Sequence, residues 1–271
     1  MAHPLIALHG DWDGAPLPGQ PVLVLVHGFT GSGANWNGVR EGLRKIGSTL
    51  AVDLIGHGAS PAPENVEPYS MPACLEQLEA LLERLGISRA WWVGYSMGGR
   101  VVLQMAAHKP HLVEGLVLES ATAGLRGEEE RKARVAADEA LAASILSDGI
   151  EAFTDRWLAH PLFRNLARLP AKQQAEQRAQ RLGCNPLGLA NSLRGMGTGA
   201  MASVWERLSK INVPALVIAG GEDHKFTAIA HELVAGLPRA ELSLLPGCGH
   251  TPHVEDPAAF LEAVRSYFSS R

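Results

Sequence analysis

Val93-Gly94-Tyr95-Ser96-Met97-Gly98-Gly99-Arg100 reads Gly-x-Ser-x-Gly between an apolar run, Ala90 to Val93, and a segment of helical character, Arg100 to His108. A strand that turns abruptly into a helix holds the residue at the turn in a strained conformation, with its side chain raised into a cleft. Gly94 and Gly98 have no Cβ, so neighbouring backbone can pack close to that turn. The helix behind Ser96 aims unpaired N–H groups at any negative charge formed there. The stretch therefore predicts a nucleophile elbow with Ser96 at its apex.

Outward from the elbow, strands and helices alternate. Upstream, Pro21 to Val26 and Thr49 to Leu54 are apolar, β-branched runs of the kind covered on both faces of a sheet. Leu5 to His9 reads as a short first strand, and Gly10 to Gln20, rich in Gly, Pro and Asp, as a turn. Met71 to Leu85 carries Leu75, Leu78, Leu82 and Leu85 at helical spacing, and Gly86 stops it. Downstream come a strand at Gly115 to Glu119, another at Pro214 to Ala219, a helix from Phe226 to Ala235, a strand at Glu241 to Leu245 and a helix at Pro257 to Phe268. This order implies an α/β class with right-handed crossovers, a mostly parallel central sheet and flanking helices. Between Glu128 and Leu208 no strand pattern is found. That segment is rich in Ala, Arg, Glu and Gln, punctuated by Pro161, Pro170 and Pro186, and predicts several short helices inserted into the core.

A serine hydroxyl needs a histidine to take its proton, and the histidine needs an acid to orient it. In open parallel sheets such groups lie beyond the carboxyl ends of strands. Asp223, in Gly220-Gly221-Glu222-Asp223-His224, follows one strand, with Glu222 as its rival. His250, in Pro246-Gly247-Cys248-Gly249-His250, follows the last strand, with His253 as its rival. The order Ser96, Asp223, His250 is that expected on an α/β-hydrolase fold. Negative charge on a reacting oxygen needs two backbone N–H donors, one after the nucleophile and one after an early strand; Met97 and Phe29 occupy those places. His57 reads as a brace for a Gly-rich turn, and His108 and His111 as helix-end residues.

The 271 residues suit one large α/β unit or a core with an insertion. With 46% hydrophobic and 19% charged residues and a net charge of -4, the composition is that of a globular protein without a basic nucleic-acid footprint. No apolar stretch reaches membrane-span length, and no signal-peptide pattern is seen. Cys74, Cys184 and Cys248 fit neither a disulfide framework nor a zinc pattern, so free thiols in a reducing cytoplasm are expected.

Over nearly its full length the chain resembles the α/β-hydrolase superfamily. Within it, Val26-His27-Gly28-Phe29-Thr30-Gly31, Asp53-Leu54-Ile55-Gly56-His57-Gly58 and the Gly-Gly-Arg ending of the elbow resemble the MenH family, the 2-succinyl-6-hydroxy-2,4-cyclohexadiene-1-carboxylate synthases of menaquinone biosynthesis. So do Ala123-Gly124-Leu125-Arg126, Asn185 to Gly199 and Glu222-Asp223-His224-Lys225-Phe226. The break in the alternation divides the chain into a core of residues 1–125 and 209–271 with a helical cap at 126–208, and the resemblance implies a substrate with several carboxylates. It implies a pocket bearing Tyr95, Arg100, Arg134, Trp157 and Arg181. It also implies a lyase reaction releasing pyruvate, without metal or cofactor, in which Ser96 acts as base through His250. Arginine suits such a pocket because its planar fork binds a carboxylate through two hydrogen bonds. The same triad would serve a carboxylesterase or thioesterase, and a binding protein on this fold would use the insertion as a ligand lid. Oligomeric state is not readable from the chain.

Overall fold

The computed structural model describes residues 6–13 and 19–271. Its strands are β1 (His9–Trp12), β2 (Val22–Val26), β3 (Ser48–Asp53), β4 (Ala90–Tyr95), β5 (Val113–Glu119), β6 (Ala215–Gly220) and β7 (Ala240–Leu245). They form one sheet in the order β1-β3-β2-β4-β5-β6-β7. β1 is antiparallel to β3, and every other pairing is parallel. The α/β-hydrolase architecture expected from the alternation is the one observed.

Side-chain alternation along the strands divides the core. Val24, Val26, Val52, Trp92 and Leu118 face one side, where α2 (Met71–Arg84) and α3 (Met97–His108) pack. Leu23, Leu25, Ala51, Val93 and Val117 face the other, where α1 (Asn37–Arg44) and α9 (Pro257–Ser269) supply Val39, Leu43, Phe260 and Val264. Burying a side chain of this size stabilises by about 1.5–3 kcal/mol. The two cores fix the strand ends from which the site is built.

Three elements differ from the sequence reading. The first strand is His9–Trp12, where a turn is expected; Leu5 lies outside the described residues. Its backbone pairs with the edge of β3, His9 opposite Asp53 and Trp12 opposite Leu50, and that ladder overrides the turn signal of Gly10 and Asp11. The helix α1 has no counterpart in the reading, because it contains two glycines and buries only Val39 and Leu43. Helix α3 begins at Met97, ahead of the expected Arg100, with two helix-weakening glycines in its first turn. The insertion holds several helices, as its sequence suggests, and opens with α4 (Glu128–Leu158), two helical stretches joined across a kink. Gly149, with non-helical φ +82° and ψ 169°, ends the first stretch and starts the second at the kink. The three prolines do mark starts: Pro161 opens a 3-10 helix, Pro170 precedes α5 (Ala171–Leu182) and Pro186 opens α6 (Pro186–Met196). The remaining helices are α7 (His224–Gly236) and α8 (Pro252–Glu255). No helix is long and apolar enough to cross a membrane among the described residues.

Candidate active site

Ser96 stands between β4 and α3 with φ +50° and ψ −105°, in a region that L residues rarely occupy. Its backbone N–H donates to the Glu119 carbonyl at 2.8 Å, and its carbonyl accepts Arg100 N–H at 3.1 Å. The turn is tight enough to require glycine: a Cβ at Gly98 would collide with the Val26 carbonyl oxygen, and one at Gly94 would come within 2.5 Å of the Gly98 carbonyl oxygen. Met97 is the first residue of α3, so its N–H has no acceptor within the helix.

The loops after β6 and β7 are joined by backbone bonds, Gly221 N–H to Leu245 O at 2.8 Å and Glu222 N–H to Cys248 O at 2.9 Å. Asp223 caps α7, accepting Phe226 N–H through Oδ1 at 3.2 Å. Its Oδ2 accepts from His250 Nδ1 at 2.7 Å, and His250 Nε2 lies 3.1 Å from Ser96 Oγ. The three side chains therefore form one hydrogen-bonded row. Both rivals are engaged elsewhere. Glu222 bonds Arg168 at 3.0 Å and Asn165 at 3.1 Å, and these partners hold its carboxyl below the usual range. His253 donates to the buried Glu119 carboxylate at 2.8 Å. Glu255 braces the His250 loop by accepting Gly249 N–H and Thr251 N–H.

Phe29 lies beyond β2 in the loop after His27. His27 Nε2 accepts Leu54 N–H at 3.1 Å, so its Nδ1 carries the proton and donates to Gly28 O at 2.8 Å. Burial pushes the pKa of His27 down, and it pushes that of the neighbouring His57 down to about 3. His57 bonds the Ile55 carbonyl, bracing its turn as the sequence reading has it.

Ser96, Met97 and Phe29 open onto a cavity of about 650 Å³ between the strand ends and the inserted helices. Tyr95, Arg100, Arg134 and Trp157 also lie on its wall. Burial, then the charge of Glu119, raises the Tyr95 phenol well above its ordinary value, so it stays protonated and able to donate. Arg100 is buried at the cavity floor, with Nη1 donating to the Met196 carbonyl at 2.8 Å. Burial and the nearby Arg134 charge push its pKa down to about 10, which leaves it cationic at neutral pH. Arg134 pairs with Asp138 at 2.8 Å. Trp157 packs edge-on against Phe29, with ring centroids 5.4 Å apart.

Arg181 departs from the expectation. It is buried behind Phe163, its guanidinium 5.8 Å from that ring, and the cavity wall is formed without it. Its Nη1 is held by Gln177 of its own helix, through the carbonyl at 2.7 Å and the side chain at 3.0 Å. Two cations absent from the expected pocket, Arg156 and Lys225, stand on the wall instead. Their adjacency in sequence to Trp157 and to the Asp223 loop is the available signal.

The α/β hydrolase fold family matches residues 21–257. The chain is 31% identical over 92% of its length to the 2-succinyl-6-hydroxy-2,4-cyclohexadiene-1-carboxylate synthase of Serratia proteamaculans (strain 568), covering 93% of that protein. It is 41% identical over 92% of its length to a protein of Bacillus subtilis (strain 168) that bears the same synthase name provisionally, covering 90% of it. The chain belongs to the 2-succinyl-6-hydroxy-2,4-cyclohexadiene-1-carboxylate synthase family, on the α/β-hydrolase fold. In three dimensions it is similar to MenH from S. aureus, with a TM-score of 0.92 and 32% identity over 97% of this chain and 98% of that one. An enol-lactonase from Burkholderia xenovorans LB400 is similar at a TM-score of 0.83 and 25% identity, covering 97% and 96% of the two chains. Family membership thus agrees with the resemblance carried by the elbow and the insertion motifs.

Proposed function

We propose that the protein is a carbon–oxygen lyase that eliminates pyruvate from 2-succinyl-5-enolpyruvyl-6-hydroxy-3-cyclohexene-1-carboxylate, with Ser96, His250 and Asp223 as its catalytic triad. The observation that carries the reading is the hydrogen-bonded row Ser96–His250–Asp223 at a cavity whose floor holds the buried cation Arg100. A neutral acyl chain would gain nothing from a buried guanidinium, whose desolvation is costly. A substrate with several carboxylates answers that charge, and Arg134, Arg156 and Lys225 stand on the same wall to receive the others.

The chemistry follows from the groups present. His250 Nε2 takes the Ser96 proton while Asp223 fixes the ring through Nδ1. Ser96 Oγ removes the ring proton next to the succinyl ketone. The negative charge that builds on the ketone oxygen meets the backbone N–H groups of Phe29 and Met97, at the positive end of α3. The electron pair then moves through the ring double bond and breaks the carbon–oxygen bond to the enolpyruvyl group. That group accepts a proton, with His250 as the local acid, and leaves as pyruvate. The residues from 126 to 208 act as a cap that holds the carboxylates, and the three cysteines, not paired with one another, suit a cytoplasmic setting.

The test separates binding of carboxylate from operation of the triad. Arg100→Leu should lower pyruvate release by about 10²-fold or more while p-nitrophenyl ester cleavage changes less than about threefold, because only elimination needs a carboxylate held in place. Equal losses in both assays would count against the proposal.

A further inference from the structure

Glu119 is the last residue of β5, and its side chain is completely buried. It is bonded to both sides of the Ser96–His250 pair. Strand pairing sets Glu119 opposite Tyr95, and its carbonyl accepts the Ser96 N–H at 2.8 Å. Its carboxylate reaches α8, directly after the His250 loop, where Oε1 accepts the backbone N–H of His253 at 2.9 Å and the ring N–H of His253 at 2.8 Å. His253 lies three residues beyond His250. Its ring is clamped between Trp36, 4.7 Å away, and Tyr95, 4.9 Å away, by centroid distance. Neither Glu119 nor His253 lies on the cavity wall.

Stability alone does not account for this pair. Glu119 Oε2 and His253 Nε2 are both buried without a hydrogen-bond partner among the described residues. Well-packed apolar residues would avoid that cost. A buried polar link with defined donors and acceptors instead fixes one geometry. We infer that Glu119 is a positioning residue, which holds the elbow and the His250 loop in register and so sets the distance between Ser96 Oγ and His250 Nε2. The inference rests on the triad reading above. Displacing a reacting group by about 1 Å costs about 10²-fold in rate, so this register matters to turnover without any contact with substrate.

The test compares Glu119→Leu, Glu119→Gln and His253→Phe with the parent protein, scaled to the folded fraction by circular dichroism. The readouts are the rate at which a fluorophosphonate labels Ser96, and kcat and KM for pyruvate release. The Leu variant should label and turn over about 10- to 100-fold more slowly with KM changed less than about twofold. The Gln variant, whose amide oxygen still accepts both N–H groups, should regain most of the rate. His253→Phe keeps the aromatic packing and removes the ring donor; it should slow labelling by about threefold or more, and it decides the matter if the Leu variant does not fold. Labelling at the parent rate per folded molecule in the Leu or the Phe variant, or a Gln variant no faster than Leu, would overturn the inference. Labelling of the parent that persists after Ser96→Ala would instead overturn the triad reading, and this inference with it.

Discussion

Ser96 carries a positive φ that a non-glycine residue accepts only where its surroundings over-determine it, and here two backbone hydrogen bonds and two glycines do so. The Gly-x-Ser-x-Gly motif makes that residue legible. The partner groups are legible by loop and only partly by residue. Glu222 and Asp223 share a loop, His250 lies three residues before His253 at the start of α8, and sequence cannot say which side chain of each pair turns inward. The choice is made by distant partners: Arg168 and Asn165 draw Glu222 outward, and Glu119 holds His253. The same limit applies to Arg181, Arg156 and Lys225, whose directions depend on packing of the inserted helices. If Ser96, His250 and Asp223 act as a unit, Ser96→Ala and His250→Ala should each lower kcat by about 10³-fold or more, and the double variant should be little worse than either. Asp223→Asn should be severe and Glu222→Gln mild. Steady-state kinetics of the five variants check this, and additive losses or a reversed order of the two acids would contradict the assignment.

At the level of elements, sequence suffices where a strand or helix announces itself by its own pattern. It falls short where tertiary contact supplies the signal. β1 exists because the edge of β3 accepts it, and α1 because Val39 and Leu43 find the covered face of the sheet. Within α4 the helical pattern is broken at Gly149, whose left-handed φ of +82° favours glycine, although no atom near its Cβ position would oppose a side chain. Two glycines give a sharp contrast. Gly98→Ala places a methyl group against the backbone of β2, which cannot yield without moving the sheet, so it should lower stability by several kcal/mol, roughly 3 or more. Gly38→Ala, in α1 with open space at its Cβ position, should raise stability by about 0.5–1 kcal/mol. Urea unfolding of both variants measures this, and a Gly98→Ala protein as stable as the parent would show that the elbow relieves the added methyl group by moving.

For the whole molecule, the two histidines buried beneath the Phe29 loop link stability to pH. Burial lowers the pKa of His57 from 6.5 to about 3 and lowers that of His27 as well. Between those values the unfolded chain binds a proton at His57 that the folded chain refuses. Stability is therefore complete above the unfolded pKa and falls as the pH drops below it, by about 1.4 kcal/mol per pH unit for one such histidine. His57→Gln should flatten the dependence of unfolding free energy on pH between 6.5 and 5, and an unchanged slope would show that His57 accepts a proton while folded. The α/β-hydrolase architecture itself is legible in the sequence, because the strands alternate with helices and β2, β4, β6 and β7 each run into a loop or turn of specific composition. Which reaction the pocket runs is a matter of its cations, and direct observation of the product decides it. Purified protein supplied with 2-succinyl-5-enolpyruvyl-6-hydroxy-3-cyclohexene-1-carboxylate should release one pyruvate per substrate consumed, followed by a coupled lactate dehydrogenase readout. The release should depend on Ser96 and outpace cleavage of a p-nitrophenyl ester; absence of pyruvate together with rapid hydrolysis of neutral esters would contradict the lyase assignment.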